Sequence, residues 1–544
     1  MSYTTFRRWP IFIILFVLVL GCSASALKYE TLSRQPKIRV GLLEGQSTIK
    51  FIIPEGFALY DPGGHFIGRG MKGIYWQAKA IDYVPAQSVY RLRYAENVTL
   101  SEAERGGREL QRLNLRSEIV PAEETQKSFT QKEDLYDVFL WSTFENAVQA
   151  ANYRAELGKS FPMEIIKVET ASAGGQIEIS SEKTPKKFLV PNGTRIEAEK
   201  FALIDMPVGN GYHWESKEDN VFRGSLEVDV DAQNKLSAIN IVSAEEYLRS
   251  VVPSEMPWGF PMAALKAQAI AARSELLVKI DRGVHSDKNY DICATVHCQV
   301  YGGVGKEHPQ TDRAVKDTYG QVLKAGGRIL DAVYSAVCGG QTENNENVWA
   351  GDPQEQLRGR FDGNGAPDVL GGRLQDETTL TKWVNAKAPV YCNTLSADTP
   401  ESLLYTQKYF RWQMSFTRQE LEQSISSATG TNPGILRAII PLQRGISGRI
   451  KKLKIVGSAQ TFEIDRDLPI RKAMSAKTLY SSCFIVTPEL DKNGTPVHFT
   501  FHGAGWGHGV GMCQAGAAKM ALAGKTMEDI LGHYYRNVVV GRAY

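Results

Sequence analysis

The most informative stretch of this chain lies near its middle and reads Tyr247-Leu-Arg-Ser-Val-Val-Pro-Ser-Glu-Met-Pro-Trp258. Within it, Glu255 has Pro253, Met256 and Pro257 as close neighbours in sequence. A carboxylate among apolar and rigid neighbours loses solvation, which favours its protonated form and suits a general acid. Because neighbours in sequence do not prove burial, an exposed glutamate at the tip of a turn is the alternative.

Downstream, the sequence predicts a long helix that begins at Pro261 and ends just before Gly283. Proline suits the first helical position, and glycine suits the position just past the end. Alanines recur between them, so the helix is thin and can pack closely. Lys266 and Arg273 stand seven residues apart and therefore share one helix face. We expect these two cations to support Glu255 or to bind substrate, and a solvated face is the alternative.

Upstream, short apolar runs predict many β-strands. Three of them lie at 38–43, 49–53 and 57–60, where Gly and Pro separate them. Two alternating strands follow at 224–230 and 236–242, joined by a polar turn. The first group predicts a small β-rich module, and the second leads directly into the helical part of the chain.

Residues 134–200 have a different pattern. A strand is predicted at 137–141, an amphipathic helix at 144–158 and a second strand at 163–168. The preceding residues, 101–133, are charged and rich in Glu, Gln and Lys, which predicts a linker or an exposed helix. The strand–helix–strand order is that of a small α+β unit.

The chain as a whole is predicted to be a multidomain α+β protein. At about 150 residues per domain, its 544 residues suggest three or four domains. We expect a signal segment at 1–26, a β-rich module at 27–120, a linker with a small α+β unit at 121–200, and a mixed α+β domain at 201–544. The formal net charge is only +3, which argues against a nucleic-acid partner.

The N-terminus predicts export. Arg7 gives a positive start, and an apolar run of ten residues follows at 11–20. A membrane-spanning helix needs about 20 residues, so this run is typical of a signal peptide. Val19-Leu20-Gly21-Cys22 has the form of a bacterial lipobox, in which Cys22 is lipidated and anchors the chain to the membrane. Cleavage after Ala24-Ser25-Ala26 and an uncleaved anchor helix are the alternatives, and all three predict a periplasmic or cell-envelope protein.

A glycine-rich run near the C-terminus, Gly503-Ala-Gly-Trp-Gly-His-Gly-Val-Gly-Met-Cys-Gln514, is a second candidate for chemistry. Glycines let backbone amides approach a ligand closely and allow positive φ. Trp506 could stack on a sugar ring, and His508 could exchange a proton near neutral pH. A tight structural loop with a hydrogen-bonded histidine is the alternative.

A third candidate is a group of cysteines and histidines at short spacing, which could form a tetrahedral zinc site: His285, Cys293, His297 and Cys298. The spacing matches no common zinc finger. In an exported protein a Cys293–Cys298 disulfide is the alternative. Cys338 could join either arrangement or pair with Cys392.

Several of these motifs together resemble the SpoIID/LytB family of cell-wall proteins. The resemblance covers about Phe201 to the C-terminus and rests on these segments, in order: Glu246–Pro257, Ala264–Arg273, Cys298–Tyr301, Tyr334–Gly340, Ser447–Arg449 and Gly507–Gln514. The pattern departs at Cys513, where serine is usual, and residues 352–440 match it poorly. The unit at 134–200, with Glu145-Asn-Ala at its helix start, resembles the SPOR peptidoglycan-binding module.

The resemblance implies a lytic transglycosylase that acts on peptide-free peptidoglycan strands. It implies that Glu255 protonates the oxygen between N-acetylmuramic acid (MurNAc) and N-acetylglucosamine (GlcNAc), then accepts the proton of the muramic C6 hydroxyl. A 1,6-anhydroMurNAc end forms, and a second catalytic carboxylate is unnecessary. Lys266 and Arg273 match helix positions of the family and are candidates for support of substrate or of Glu255. The other predicted substrate-binding residues are Trp506, His508 and Gln514.

Some members of the family bind zinc near the stretch that matches 285–298, and the resemblance implies that this zinc is structural. His297 and Cys298 match the pattern of those ligands, whereas His285 and Cys293 match it with shifted spacing. No cofactor is required for catalysis. The LytB branch offers a different function, a non-catalytic enhancer of a cell-wall amidase. A glycan-binding scaffold without turnover is a third. The three hypotheses differ in what they require: Glu255 for product formation, a partner amidase, or binding alone.

Overall fold

The computed structural model describes residues 35–84, 87–121, 135–157, 163–171, 174–208, 216–231, 233–365, 373–397 and 399–544. The predicted export signal and its lipobox, residues 1–26, lie outside these ranges. Within them, no helix combines the length and the apolar character needed to cross a bilayer. The chain is a multidomain protein of mixed α-helices and β-sheets.

The N-terminal half is mostly strands. Its elements, in order, are β1 (Lys37–Gln46), β2 (Ile49–Ile52), β3 (Phe57–Tyr60), β4 (Phe66–Gly70), β5 (Tyr75–Val84), β6 (Gln87–Thr99), α1 (Leu100–Arg112), β7 (Ser117–Pro121), β8 (Leu135–Phe144), α2 (Ala147–Glu156), β9 (Glu164–Ala171), β10 (Gly174–Ser181), β11 (Thr184–Pro191), β12 (Thr194–Glu197), β13 (Lys200–Val208), β14 (Ser216–Arg223), β15 (Ser225–Val230) and β16 (Leu236–Ser243).

The C-terminal half is more helical. Its elements are α3 (Ala244–Glu255), α4 (Met262–Asp281), β17 (Ile292–Cys293), α5 (Pro309–Asp317), β18 (Gln321–Ala325), β19 (Arg328–Ile329), β20 (Tyr334–Ser335), α6 (Glu377–Asn385), α7 (Glu401–Leu404), α8 (Gln407–Phe410), β21 (Trp412–Thr417), α9 (Arg418–Thr429), β22 (Leu436–Arg444), β23 (Ile450–Gly457), β24 (Thr461–Asp465), α10 (Asp467–Ala473), β25 (Phe484–Leu490), β26 (Pro496–Gly503), β27 (Met512–Cys513), α11 (Gln514–Leu522), α12 (Met527–Tyr534) and β28 (Val539–Arg542).

Two sheets in the N-terminal half share one hydrophobic core. The larger has the order β17-β1-β16-β15-β12-β3-β4, and the smaller has the order β11-β10-β5-β2-β13-β14. Early strands therefore pair with late ones, as when Lys37 lies opposite Ser243. Phe51 and Val228 are among the fully buried residues of this core. The predicted β-rich module at 27–120 is thus not a separate unit, because its strands complete sheets with strands from 174–243.

A four-stranded unit is inserted between β5 and β10. Its sheet has the order β7-β8-β6-β9 with every pair antiparallel, and α1 and α2 complete a βαββαβ topology. It has its own small core, which includes Leu92 and Val138. A capping box formed by Thr99 and Glu102 begins α1. The predicted strand, helix and strand correspond to β8, α2 and β9, but the unit begins at β6, so the boundary expected at 120/121 falls inside one sheet.

Helix α4 joins the two halves of the molecule. Ala269 and Ala272 on this helix lie in the core shared by the two large sheets, whereas Ala264 and Ala267 lie in the core of the C-terminal half. Small side chains on both sides let the two cores approach the helix closely. Pro261 is the residue just before the first helical one, and Gly283 follows the end with φ of 58°. The predicted helix is therefore correct to within a residue or two.

Candidate active site

Glu255 is the last residue of α3, at the point where the chain turns towards α4. Ser243 caps the start of this helix by accepting a hydrogen bond from the Glu246 backbone N–H. The Glu255 carboxyl is half-buried, and its Oε1 accepts a hydrogen bond of 3.0 Å from the Val300 N–H. Burial raises its pKa from 4.5 to about 7 against the opposing effect of the Val300 N–H. Near neutral pH this group can therefore both donate and accept a proton.

One face of α4 supplies the surroundings of Glu255. The negative charge of Glu275 also raises the Glu255 pKa, and the positive charge of Lys279 opposes it. These two form an ion pair of 2.9 Å, and Gln299 donates to Glu275 over 2.9 Å. Burial, followed by the charge of Glu255, raises the pKa of Tyr334. Sequence reasoning missed these residues, although Glu275 and Lys279 at i and i+4 on an alanine-rich helix were a usable signal.

Arg273 and Lys266 are not brought to Glu255. They share a face as predicted, but nine residues separate Lys266 from Glu275, which is two and a half helical turns and puts them on opposite sides. Arg273 is fully buried, and its Nε and Nη2 donate to both Glu245 oxygens over 2.7 and 2.9 Å. The guanidinium of Arg273 is therefore engaged by Glu245 inside the protein, and the structure does not place it beside Glu255.

Lys266 lies in a separate groove. Its Nζ is 2.8 Å from Asp317, and both residues line a cavity of about 860 Å³ together with Met527 and Val539. Its ammonium group is therefore paired with Asp317 on the side of α4 opposite to Glu275. The expectation that Lys266 supports Glu255 or its substrate does not agree with this position.

The glycine-rich loop contacts Tyr334 through His508 and helix α4 through Gln514. The backbone of Tyr334 hydrogen-bonds to His508, and burial lowers the His508 pKa to about 4, so the ring is neutral at pH 7. Its Nδ1 accepts from the Val510 N–H at 3.1 Å. The Gln514 amide donates to Gln268, on the same face of α4 as Glu275, over 3.2 Å.

Trp506 is half-buried, and its indole stacks on the ring of Tyr409 with 4.2 Å between centroids. Two glycines of this loop are required by close packing against neighbouring parts of the protein. A Cβ on Gly509, which has φ of 76°, would lie 2.4 Å from the Arg449 guanidinium carbon. One on Gly511 would lie 2.0 Å from the Val333 carbonyl oxygen. At these two positions the structure agrees with the alternative of a tight structural loop.

Two exposed tryptophans lie near these segments, and sequence reasoning missed one of them, Trp349. Trp349 is 41% exposed, and its ring centroid lies 4.7 Å from that of His508. Trp258, 54% exposed, stacks on His308 only three residues after Glu255. An exposed indole can stack on a sugar ring, but nothing in the sequence near Trp349 pointed to it.

The four predicted metal ligands are brought together next to Glu255. His285 Nε2 lies 3.3 Å from Cys298 Sγ, and His297 Nδ1 lies 3.5 Å from Cys298 Sγ and 3.7 Å from Cys293 Sγ. All four ligand atoms are within 4.8 Å of one another. A tetrahedral zinc ion with ordinary bond lengths requires N···S separations of about 3.6 Å. The residues therefore fit zinc, and the two cysteines are free thiols rather than a disulfide.

Comparisons with known proteins identify the region that holds these groups. Residues 232–324 match the family model of SpoIID, a stage II sporulation protein. This segment is similar to a SpoIID domain. It includes Glu255, α4 and all four predicted metal ligands, whereas Tyr334 and the glycine-rich loop follow it. Residues 343–511 match a second model, a domain of unknown function called DUF8618, which covers the region that departs from the family pattern.

Curated relatives agree with the SpoIID domain. Stage II sporulation protein D of Bacillus subtilis is 26% identical over 367 residues, which is 64% of this chain and 88% of the relative. The amidase enhancer of Bacillus subtilis is 28% identical over 299 residues, 53% of this chain but only 39% of the relative. An uncharacterised protein of Brachyspira hyodysenteriae is 29% identical over 317 residues, 58% of this chain and 71% of the relative.

Proposed function

We propose that this chain remodels the cell wall as a lytic transglycosylase that cleaves MurNAc–GlcNAc bonds in peptide-free glycan strands. The observation that carries the proposal is the half-buried Glu255, whose pKa is raised to about 7 by burial. The match to stage II sporulation protein D over most of that relative's length supports it. Peptidoglycan lies outside the cytoplasm, which agrees with the export signal predicted at the N-terminus.

One carboxyl group is sufficient for the reaction. Protonated Glu255 donates its proton to the glycosidic oxygen as the bond to the muramic C1 breaks, and GlcNAc leaves with a new hydroxyl. The resulting carboxylate then accepts the proton of the muramic C6 hydroxyl while O6 bonds to C1. The product carries a 1,6-anhydro ring and Glu255 is protonated again, so no water is consumed.

The other carboxylate beside Glu255 is engaged elsewhere, which supports a mechanism without an activated water. Glu275 pairs with Lys279 and accepts a hydrogen bond from Gln299. A hydrolase of the inverting type needs a second free carboxylate about 6.5–9.5 Å from the acid. We assign Glu275 the role of a positioning residue whose charge keeps the Glu255 pKa high.

We further propose that His285, Cys293, His297 and Cys298 bind a structural zinc ion. The metal would supply rigidity rather than catalysis. Cys298 directly precedes two residues that contact the acidic groups: the Gln299 side chain donates to Glu275, and the Val300 N–H donates to Glu255. The Cys298 carbonyl itself accepts a hydrogen bond from Lys279 over 2.5 Å. Fixing Cys298 therefore fixes the segment that holds the acid.

We expect Cys293→Ser to lower the zinc content by one equivalent and the cleavage rate by about 10- to 100-fold, the usual cost of loosening the support of a site. Metal analysis and a glycan-cleavage assay on the same samples check this. Cys483→Ser is the matched control, because Cys483 is buried outside this cluster. A Cys293→Ser protein with full activity would contradict the positioning role.

The inserted βαββαβ unit is our candidate for a SPOR-like glycan-binding module. Its topology and its position outside the two large sheets support a separate binding role. Binding of glycan by this unit would hold the strand near the SpoIID domain without contributing to the chemistry.

A second candidate function is enhancement of a cell-wall amidase, favoured by the match to the amidase enhancer. Under this hypothesis Glu255→Gln would stimulate an added amidase as well as the unaltered chain does.

The test is turnover of peptide-free glycan strands by the purified protein, with Glu255→Gln beside it. The amide keeps the shape of the side chain and an oxygen for the Val300 N–H, but it cannot donate a proton as an acid. We expect soluble fragments from the unaltered chain and a rate at least about 100-fold lower from the variant. Equal rates would remove Glu255 from the mechanism, and no cleavage by either would favour the amidase enhancer or a scaffold.

A further inference from the structure

A second group of metal-ligating side chains lies deep in the C-terminal half, apart from the predicted zinc site. It consists of Cys338, Asp362, Cys392 and Cys513, whose ligand atoms all lie within 4.8 Å of one another. Each residue is at most 2% exposed. The four come from well-separated segments of the chain, so only the folded structure brings them together.

The distances within this cluster are those of a metal site. Cys338 Sγ lies 3.6 Å from Cys392 Sγ and 3.3 Å from Asp362 Oδ2. Around a tetrahedral zinc ion, two thiolates lie about 3.8 Å apart, and a thiolate and a carboxylate oxygen about 3.6 Å apart. A small contraction of angle about the metal accommodates the observed separations.

The groups around the ligands orient them as in known metal sites. The Tyr534 hydroxyl donates to Asp362 Oδ1 over 2.7 Å, and Asp362 Oδ2 accepts from the Cys392 N–H over 3.0 Å while it faces the Cys338 thiol. The Cys338 N–H donates to Cys513 Sγ, and the Gly340 N–H donates to Cys338 Sγ. Such hydrogen bonds to ligand atoms fix ligand orientation and stabilise thiolates.

Asp362 has no lysine or arginine partner among the described residues. The one basic side chain within 4 Å of it is His533, whose Nε2 lies 3.9 Å away and has no hydrogen-bond partner there. No ion pair with a neighbouring side chain therefore competes with a metal for the Asp362 carboxylate.

We propose that Cys338, Asp362, Cys392 and Cys513 bind a second structural zinc ion. Binding releases the thiol protons and forms three Zn–S bonds and one Zn–O bond. Three sulfur ligands and one oxygen in a closed tetrahedral set favour zinc over magnesium or calcium, which prefer all-oxygen shells. The proposal does not depend on the transglycosylase function.

This ion would secure the segments that complete the candidate active site. Cys513 belongs to β27, which pairs with β20, where Ser335 lies opposite Cys513 and Tyr334 opposite Met512. Cys338 follows Val337, which forms a bridge with Trp506. A metal at this cluster would therefore fix Tyr334 and the glycine-rich loop relative to each other.

The test is the zinc content of the purified full chain. We expect Cys513→Ser and Cys392→Ser each to contain one equivalent less than Cys483→Ser, the control for loss of a buried cysteine outside both clusters. This difference does not depend on whether the first cluster is filled. Equal zinc in Cys513→Ser and Cys483→Ser would overturn the proposal.

A second measurement avoids the risk that these variants misfold. In a Cys298→Ser protein, which disrupts the first cluster, X-ray absorption at the zinc edge should report three sulfur ligands and one oxygen or nitrogen. A zinc-free protein would overturn the proposal, as would non-reducing peptide mapping that finds a Cys338–Cys392 disulfide. Because neither readout involves glycan cleavage, failure here is distinguishable from failure of the proposed function.

Discussion

Glu255 combines a half-buried carboxyl with a single backbone donor, and this explains its raised pKa. Full neutralisation by an adjacent lysine or arginine would lower the pKa and remove the acid at neutral pH. The Val300 N–H stabilises the carboxylate only in part, so burial dominates. The raised pKa lowers the free energy of unfolding at neutral and higher pH, because the carboxylate is less well solvated in the folded chain than in the unfolded one.

We expect Glu255→Gln to be more stable than the unaltered chain at about pH 8, by about 1–3 kcal/mol. The folded-state pKa of about 7 lies above the unfolded value of about 4.5, so the stability of the unaltered chain falls as pH rises through this window. The difference should vanish near pH 4, where the carboxyl is protonated in both states. Urea unfolding at the two pH values checks this.

Glu182→Gln is the control for this comparison, because Glu182 is exposed in the turn between β10 and β11. It should show no such pH-dependent gain. A Glu255→Gln protein whose added stability is the same at both pH values would mean that Glu255 does not titrate as proposed.

Trp349 is the residue whose contribution to substrate binding is easiest to isolate. Its exposed ring lies beside His508 and takes part in no proton transfer. We expect Trp349→Ala to raise KM for soluble glycan fragments about 3- to 10-fold with little change in kcat, since aromatic stacking contributes about 0.5–1.5 kcal/mol. Trp349→Phe should remain close to the unaltered chain. Unchanged KM in Trp349→Ala would exclude this stacking.

The sequence indicated Glu255 correctly as a partly buried carboxyl, because prolines and apolar residues on both sides limited its exposure. It could not say which way Lys266 and Arg273 point. A spacing of seven residues shows that Lys266 and Arg273 share one face of the helix. Which face of the helix is turned towards Glu255 depends on how the helix packs in the folded chain. Glu275 and Lys279, on the opposite face, are the residues of this helix whose charges act on the Glu255 pKa.

Helix α4 carries two ion pairs that differ greatly in burial and therefore in their expected contribution to stability. Arg273 is fully buried with Glu245, while Lys266 and Asp317 are each about one-third exposed. Tyr544 also donates to Glu245, over 2.6 Å, so this buried pair ties the C-terminus to the start of α3.

We expect Arg273→Ala to destabilise the chain by about 3–5 kcal/mol, because it leaves the Glu245 carboxylate buried without its positively charged partner. Lys266→Ala should cost no more than about 1 kcal/mol. Denaturant unfolding of both variants checks these free energies. In glycan-cleavage assays, we expect both variants to keep the kcat and KM of the unaltered chain per folded molecule. A raised KM in Lys266→Ala without loss of stability would restore its predicted role as a substrate ligand.

The sequence predicted the type of many elements and missed how they associate. The alternation of apolar and polar residues predicted β15 and β16, and Pro261 and Gly283 predicted the two ends of α4. The pairing of Lys37 with Ser243 could not be predicted, because pairing over two hundred residues depends on burial of both sheet faces in one core. The sequence suggested that Cys338 and Cys392 lie close together, but that Asp362 and Cys513 join them could not be predicted, for the same reason.

The molecule is arranged so that the inserted unit can be removed without breaking a sheet. Strands β5 and β10 pair directly, with Val84 opposite Gly174 at the point where the unit enters and leaves. A two-residue turn could therefore join them as an ordinary hairpin.

We expect a chain in which such a turn replaces residues 85–173 to remain folded and to cleave soluble glycan fragments normally. Its binding to insoluble peptide-free peptidoglycan should be weaker, because the proposed binding module is gone. A pelleting assay beside the cleavage assay checks this. Unchanged pelleting would assign glycan binding to the rest of the chain.

The product of the reaction gives the most direct test of the mechanism assigned to Glu255. Peptide-free glycan would be cleaved by the unaltered chain in heavy-oxygen water, and the new ends would be analysed by mass spectrometry. We predict 1,6-anhydroMurNAc ends without the heavy isotope, because O6 of the sugar and not water attacks C1. Reducing ends that carry heavy oxygen would contradict the mechanism and identify a hydrolase.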